Sequence, residues 1–484
     1  MAGVRQRLDG YKLTCASSSL AGMRSQPRKS ATAPAATDAP ALAHRDGRAT
    51  TGRLLGVDLA RGLAVFGMYA AHVGPAPEDA GGVTGFFLEL SHGRSSALFA
   101  FLAGFSLILL TGRSKPRTGS AGRQAVLHVL IRAVVLLALG TALTMTGTPV
   151  EVILAYYGLF FALLLPLYRL RPRTLAVLAA VTALTLPQVR HLLLRSLDDG
   201  AWGETVIAHD PLARVSGTDG FLDLLVTGSY PALAWLSFLL AGMAVARLDL
   251  ASRVVRARLA ATGAALAVVG HGGSWLALHL LPGVPAALAA DAAWDGPVMA
   301  SWWSDVAGVS ETSGTAWLWV AAPHSETTLS IVANTGVALL VLTACVFALD
   351  RLPRLTRWAR PVIAVGSMSL TAYVLHIVLI WALGIEDLDG LPLLLLPAFI
   401  AAAVLLATVW SRFFRRGPLE HLLHGATRLG DTLVRGRTGG GPATAQHPDG
   451  KPSPTTRPVD PSASIRPSET PSRRREKYID QVDK

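Results

Sequence analysis

The residues of this 484-residue chain whose types could do chemistry are a few histidines and arginines set at the edges of long apolar runs. His92 stands in Ser91-His92-Gly93-Arg94-Ser95, just before such a run. An imidazole titrates near neutrality, so His92 could take and return a proton as a general base. Arg94, two residues on, could orient it or hold a developing oxyanion. An ordinary solvated histidine at a helix mouth would read the same way. The first apolar run carries Asp58 and Arg61 one turn apart, close enough to pair. His72 follows Arg61 by eleven residues, about three helical turns, so cation and imidazole share a stripe roughly 16 Å apart. Snorkelling of Arg61 and interface capping by His72 would give the same spacing. His324 and Ser325 follow Pro323, and His376 comes three residues after Tyr373 inside another apolar run. A histidine at that depth needs a polar partner, for which Asn334, Thr371 and Tyr373 are the expected residues. A structural hydrogen-bond network would satisfy it equally. His191, His271 and His279 are given no role. His421 and His424 form a lone His-x-x-His, explained by a helix end, and no metal site is expected. Nucleotide-binding glycine loops, Gly-x-Ser-x-Gly elbows and His-Glu-x-x-His motifs are missing from the sequence.

The elements that must position these residues are membrane helices. The chain is 51% hydrophobic and 16% charged, and its apolar residues come in blocks such as Val126 to Leu143 and Ile331 to Leu349. The fold class expected is all-α: a polytopic membrane bundle of about ten helices, near 54–72, 96–112, 126–146, 152–167, 175–192, 229–246, 259–281, 327–349, 362–383 and 391–411. The net charge of +12 is a matter of topology. The connections at 113–125, 168–174, 247–258 and 350–360 hold fifteen Lys and Arg against two acids, while the alternate connections hold eighteen acids and three Arg. The basic set is therefore expected in the cytoplasm, with both termini, and nucleic acid is not expected as a partner. Residues 1–52 lack the apolar core of a signal peptide and are expected as a disordered leader. Residues 426–484, Pro-, Ser- and Arg-rich toward the end, are expected as a disordered tail. The membrane domain between them spans 53–425. Two long outer connections remain: 193–228, and 282–326 with Trp294, Trp302, Trp303, Trp317 and Trp319. The tryptophans fit an interfacial belt or a stacking platform for a sugar ring.

The stretch Arg53-Leu54-Leu55-Gly56-Val57-Asp58-Leu59-Ala60-Arg61-Gly62 resembles the first helix of the heparan-alpha-glucosaminide N-acetyltransferase-like branch of the transmembrane acyltransferases. His92-Gly93 with Leu98, Phe99 and Gly104 resembles that branch's second helix, whose histidine is the proposed catalytic residue. Pro323-His324-Ser325, Gly366-Ser367-Met368-Ser369-Leu370-Thr371-Ala372-Tyr373 and Arg416-Gly417-Pro418-Leu419-Glu420 are similar to the C-terminal half of a bacterial membrane family of undefined function. The resemblance implies a multi-pass plasma-membrane acyltransferase. Its donor would be cytoplasmic acetyl-CoA, and its acceptor an amine or hydroxyl of an outer envelope sugar or metabolite. It implies His92, His72 and Arg94 in catalysis, Arg61 and Asp58 at the donor, and His324, Ser325, Tyr373 and His376 at the acceptor. The lysosomal members continue from their histidine with Trp-Asn-Gly, where this chain has Gly93-Arg94-Ser95, so heparan is not the acceptor implied. Besides the bilayer and these small molecules, a homo-oligomer is left open. A transporter or flippase for an envelope precursor, or a membrane glycosyltransferase using Glu78, Asp79 and Glu89, remain alternatives.

Overall fold

The computed structural model describes residues 43–438 apart from 114, 199, 291–297, 305–313 and 386–391. Most of the leader and of the tail, and Trp294, thus lie outside the described residues. The elements that matter below are α1 (Ala43–Val73), α2 (Gly82–Ser91), α3 (Arg94–Thr111), α4 (Gly119–Thr144), α5 (Leu154–Leu164), α6 (Pro172–Asp198), α7 (Ala232–Ala246), α8 (Arg253–Leu280), α9 (Thr328–Arg351), α10 (Arg360–Ser367), α11 (Ser369–Ala382), α12 (Leu395–Phe413) and α13 (Pro418–Thr438). Among the described residues there is no strand. The molecule is an all-helical, multi-pass membrane protein.

Among the described residues, six helical spans, with α2 and α3 taken as one, are long and apolar enough to cross a membrane, and α10 with α11 make a seventh if that bent pair counts as one. Each expected span has a helical counterpart. Two of these, α5 with its following turn and α7, are apolar but short. The charges of α1 dilute its apolar character, and two of its ionisable side chains reach neighbouring helices, Arg61 to Ser106 and His72 to His376.

Small residues let the helices approach closely. A Cβ on Gly366 would lie 1.7 Å from the Asp58 carbonyl oxygen, and one on Gly62 would lie 2.3 Å from that of Val362. The glycines of both quoted motifs thus form one crossing, α1 against α10. Helix α7 is buried between α3 and α6, while α8 lies along α9 and α4 along α5. The largest fully buried side chains include Tyr69, Phe101, Phe105, Phe160 and Tyr373.

The four basic connections meet at one end. Arg113 donates to the Ala246 carbonyl, Arg247 to those of Arg113 and Tyr168, the Tyr168 hydroxyl to that of Arg117, and Arg256 pairs with Asp350.

Two features depart from the helices expected. The ninth expected span is broken at Met368, where α10 and α11 meet at 86°. Met368 is not in the helical well, at φ −121° and ψ 35°, and the freed donors of α11 are capped from elsewhere: Glu420 accepts from the Leu370 and Thr371 N–H groups and from the Thr371 hydroxyl. That carboxylate sits at the start of α13, a helix not among the expected ten. It lies on α4, with Asp431 bonded to His128 and Gln124. Helix α1 begins at Ala43, ahead of the expected first span.

Candidate functional site

Four histidines from four separate segments converge at the end opposite the basic connections. His72 Nδ1 and His376 Nε2 are 3.0 Å apart, with rings stacked at 10°. His376 Nδ1 bonds the Tyr373 carbonyl, which can only accept, so the proton of His376 resides on Nδ1. Its Nε2 then accepts from His72 Nδ1–H. Neutral His72 therefore carries its lone pair on Nε2, a position able to receive a proton. Of the three partners expected for His376, Tyr373 bonds it through its backbone carbonyl, whereas the side chain of Asn334 bonds Ser330 and that of Thr371 bonds Glu420; the remaining partner is His72. The Tyr373 hydroxyl accepts from the Ile153 N–H.

His92 ends α2, and the turn behind it depends on Gly93. That glycine has φ +60°, and a Cβ there would come within 2.8 Å of the Pro323 side chain. The His92 turn and the Pro323-His324 loop therefore touch, and both histidines lie within electrostatic range of His72. His324 and Glu326 have positive φ of 57° and 58°, uncommon for residues with a Cβ and a mark of a loop held in shape by its surroundings. The Ser325 hydroxyl is turned back on the Ala322 carbonyl. His324 lies edge-on to Tyr230, with ring centroids 5.9 Å apart.

Arg94 is 3% exposed, and its two terminal nitrogens donate to backbone. They reach the carbonyls of Glu89, His92 and Trp303, with the guanidinium 3.9 Å over the Trp303 ring. It ties the His92 turn to the 301–304 segment. Trp303 stacks on Phe86, and Trp317 is buried. His271, given no role from the sequence, bonds the Trp302 carbonyl in the same corner.

A residue missed by sequence reasoning is Glu326. Its carboxylate faces Arg190 at 3.0 Å and accepts from the Trp235 indole N–H at 2.9 Å, with side chains 8% and 4% exposed for Arg190 and Glu326. Burial pushes this carboxyl up to about 7, against the pull of Arg190 and Trp235. Beside it, bounded by Gly93, His324 and Asn334, is a cavity of about 10 Å³, room for a single water. Asp223, in the other long outer connection, is similarly pushed up to about 6 by burial while accepting from Tyr156.

From the basic end a cavity of about 300 Å³ enters the bundle. Arg61 and Arg132 line it, with the 366–370 break and Glu420 on one side and Phe99 and Tyr157 deeper in. Arg61 donates to Asp58 and to Ser106, both at 2.7 Å, so the expected Asp58–Arg61 pair is present. Arg132, overlooked in its apolar run, has a buried Nε that finds no hydrogen-bond partner among the described residues. Phe99 stacks on Tyr373 at 6.2 Å, and Tyr373 touches His376 at 5.0 Å, so aromatic contacts connect the cavity wall to the histidines. Among the described residues no group of three or more His, Cys, Asp or Glu could hold a metal ion, and His421 and His424 recruit no third ligand.

Four histidines, of which His376 is fully buried, thus lie beyond the aromatic wall of a cavity lined by Arg61 and Arg132. Comparison with protein families gives the class. Residues 53–281 match the family described as heparan-alpha-glucosaminide N-acetyltransferase, catalytic, and residues 293–430 match a protein family of unknown function (DUF418). Both resemblances drawn from the residues are thereby matched, and the first indicates a membrane acetyltransferase. No match among curated proteins was found. His72 and His92 fall in the first matched segment, His324 and His376 in the second.

Proposed function

We propose that the chain transfers an acetyl or short acyl group from cytoplasmic acyl-CoA to an amine or hydroxyl of an outer envelope sugar or related metabolite at the plasma membrane. The observation that carries this reading is the convergence of His72, His92, His324 and His376 behind the cavity that begins at Arg61 and Arg132. The cavity's chemistry suits such a donor. The guanidiniums of Arg61 and Arg132 that line it can bind phosphate by charge-assisted hydrogen bonds. The apolar walls beyond suit a thin pantetheine arm.

His92, in a stretch that resembles the family's second helix, takes the proton of the acceptor N–H or O–H. The acceptor's lone pair forms the bond to the acyl carbon, the C–S bond breaks, and the proton returns to the departing thiolate. The lone pair on His72 Nε2, fixed by His376, gives the N–H of the acceptor or of protonated His92 a place to bond in an apolar setting. His324 and the hydroxyl of Tyr373 face the acceptor, and Arg94 is a positioning residue for the His92 turn.

Purified protein incubated with radiolabelled acetyl-CoA and an envelope extract should move label into an acid-stable product. His92→Ala should reduce the rate by about 10²–10⁴-fold with unchanged expression and elution. Near-normal transfer by that variant would remove His92 from the chemistry, and an absence of transfer by the wild type would favour a transporter. Arg61→Ala should raise the KM for acetyl-CoA about tenfold or more while leaving the acceptor KM in place. An unchanged donor KM would overturn its role.

A further inference from the structure

A third cleft, of about 380 Å³, runs between α8 and α9 at the basic end. Its mouth carries Arg253, Arg256 and Arg351. Arg256 is buried and paired with Asp350, whereas Arg253 and Arg351 are exposed and, among the described residues, make no ion pair. The four side chains together leave a charge of +2 facing the opening. Below them the walls become apolar. Ala257, Ala260 and Ala344 make a shallow floor, and Leu340 and Phe347 form its rim, with the Arg351 guanidinium over the Phe347 ring at 5.4 Å.

From this cleft we infer a binding site for an anionic glycerophospholipid of the adjacent leaflet, its phosphodiester held by the three guanidiniums and one acyl chain lying along the α8–α9 groove. The proposal does not rest on the acyl-transfer reading. Its support is the match of two length scales and one charge. Leu340 to Arg351 is eleven residues of helix, about 16 Å, close to the roughly 15 Å of hydrocarbon in one leaflet. A free phosphate or soluble anion would need the arginines but no apolar groove of leaflet depth. A zwitterionic lipid would fit the groove but bring an ammonium group toward a cluster that is already cationic. Basic clefts between membrane helices at headgroup level are the sites where acidic lipids bind selectively.

The test uses the full chain in neutral detergent, titrated with phosphatidylglycerol, with phosphatidylcholine of the same chains, and with glycerol 3-phosphate as the headgroup alone. Binding is read by native mass spectrometry. Phosphatidylglycerol should bind saturably and more tightly than the other two. R253A/R351A should weaken it roughly thirtyfold, two lost cations at about tenfold or less each, and R253K/R351K should keep most of it. The charge-matched control R354A/R357A, outside the cleft, should bind as wild type. Equal binding of phosphatidylcholine, equal loss in the control variant, or displacement of the lipid by glycerol 3-phosphate at matching concentration would each overturn the assignment. If the double alanine variant elutes as aggregate, the single Arg253→Ala variant, at an exposed position, carries the same comparison.

Discussion

Residue by residue, the site divides into contacts the chain order reveals and contacts it hides. Asp58 and Arg61 were legible because three residues along a helix bring them together. His72 and His376 are 304 positions apart, and nothing in either local sequence points to the other. Arg132 was hidden by its company, a single charge inside a strongly apolar run. Glu326 was hidden for a different reason, since its burial is created by Arg190 and Trp235 from two other helices. It nevertheless makes a measurable prediction. Its carboxyl titrates near 7 in the folded protein against 4.5 ordinarily, so between those values the folded state binds more protons than the unfolded one. The stability it contributes is full below about 4.5 and is lost as pH rises toward 7. Thermal melts of wild type and Glu326→Gln should therefore diverge over that range, with the wild type losing ground as pH rises. Parallel curves would show that Glu326 ionises normally.

At the level of elements, the helices were readable wherever an apolar run was long and unbroken. The bend at Met368 was not, because Ser367-Met368-Ser369 is an ordinary interruption in a hydrophobic segment, and the group that stabilises it, Glu420, comes from the next helix but one. The helix carrying Glu420 could have been found: Leu419, Leu423 and Thr427 recur at four-residue spacing, and the last two are buried. The crossing of α1 and α10 is the tightest demand the elements make. Gly366→Ala would drive a methyl group into the Asp58 carbonyl, and cores without room lose about 1–3 kcal/mol on such overpacking. We expect a lower melting temperature and, because Asp58 holds Arg61, a weaker donor KM in the same variant. A variant with native stability would mean that α1 and α10 are free to separate.

For the molecule as a whole, charge asymmetry predicted which connections belong together, and the contacts among 113–125, 168–174, 247–258 and 350–360 are those of one end. What the linear pattern could not convey is that the two matched segments are interleaved. Helix α1 packs on α9 and α10, and the Gly93 turn closes on Pro323. Each segment supplies two of the four imidazoles, which has a consequence for inheritance. A gene carrying only the part matched as catalytic would encode half a cluster, and so would a gene carrying only the part of unknown function. On the proposed reading of the cluster, the two blocks would have to descend together or, after a gene fission, be expressed together and reassemble in the membrane. A search for relatives that treats the second block as an accessory would leave out His324 and His376, half of the imidazoles that the proposed function requires.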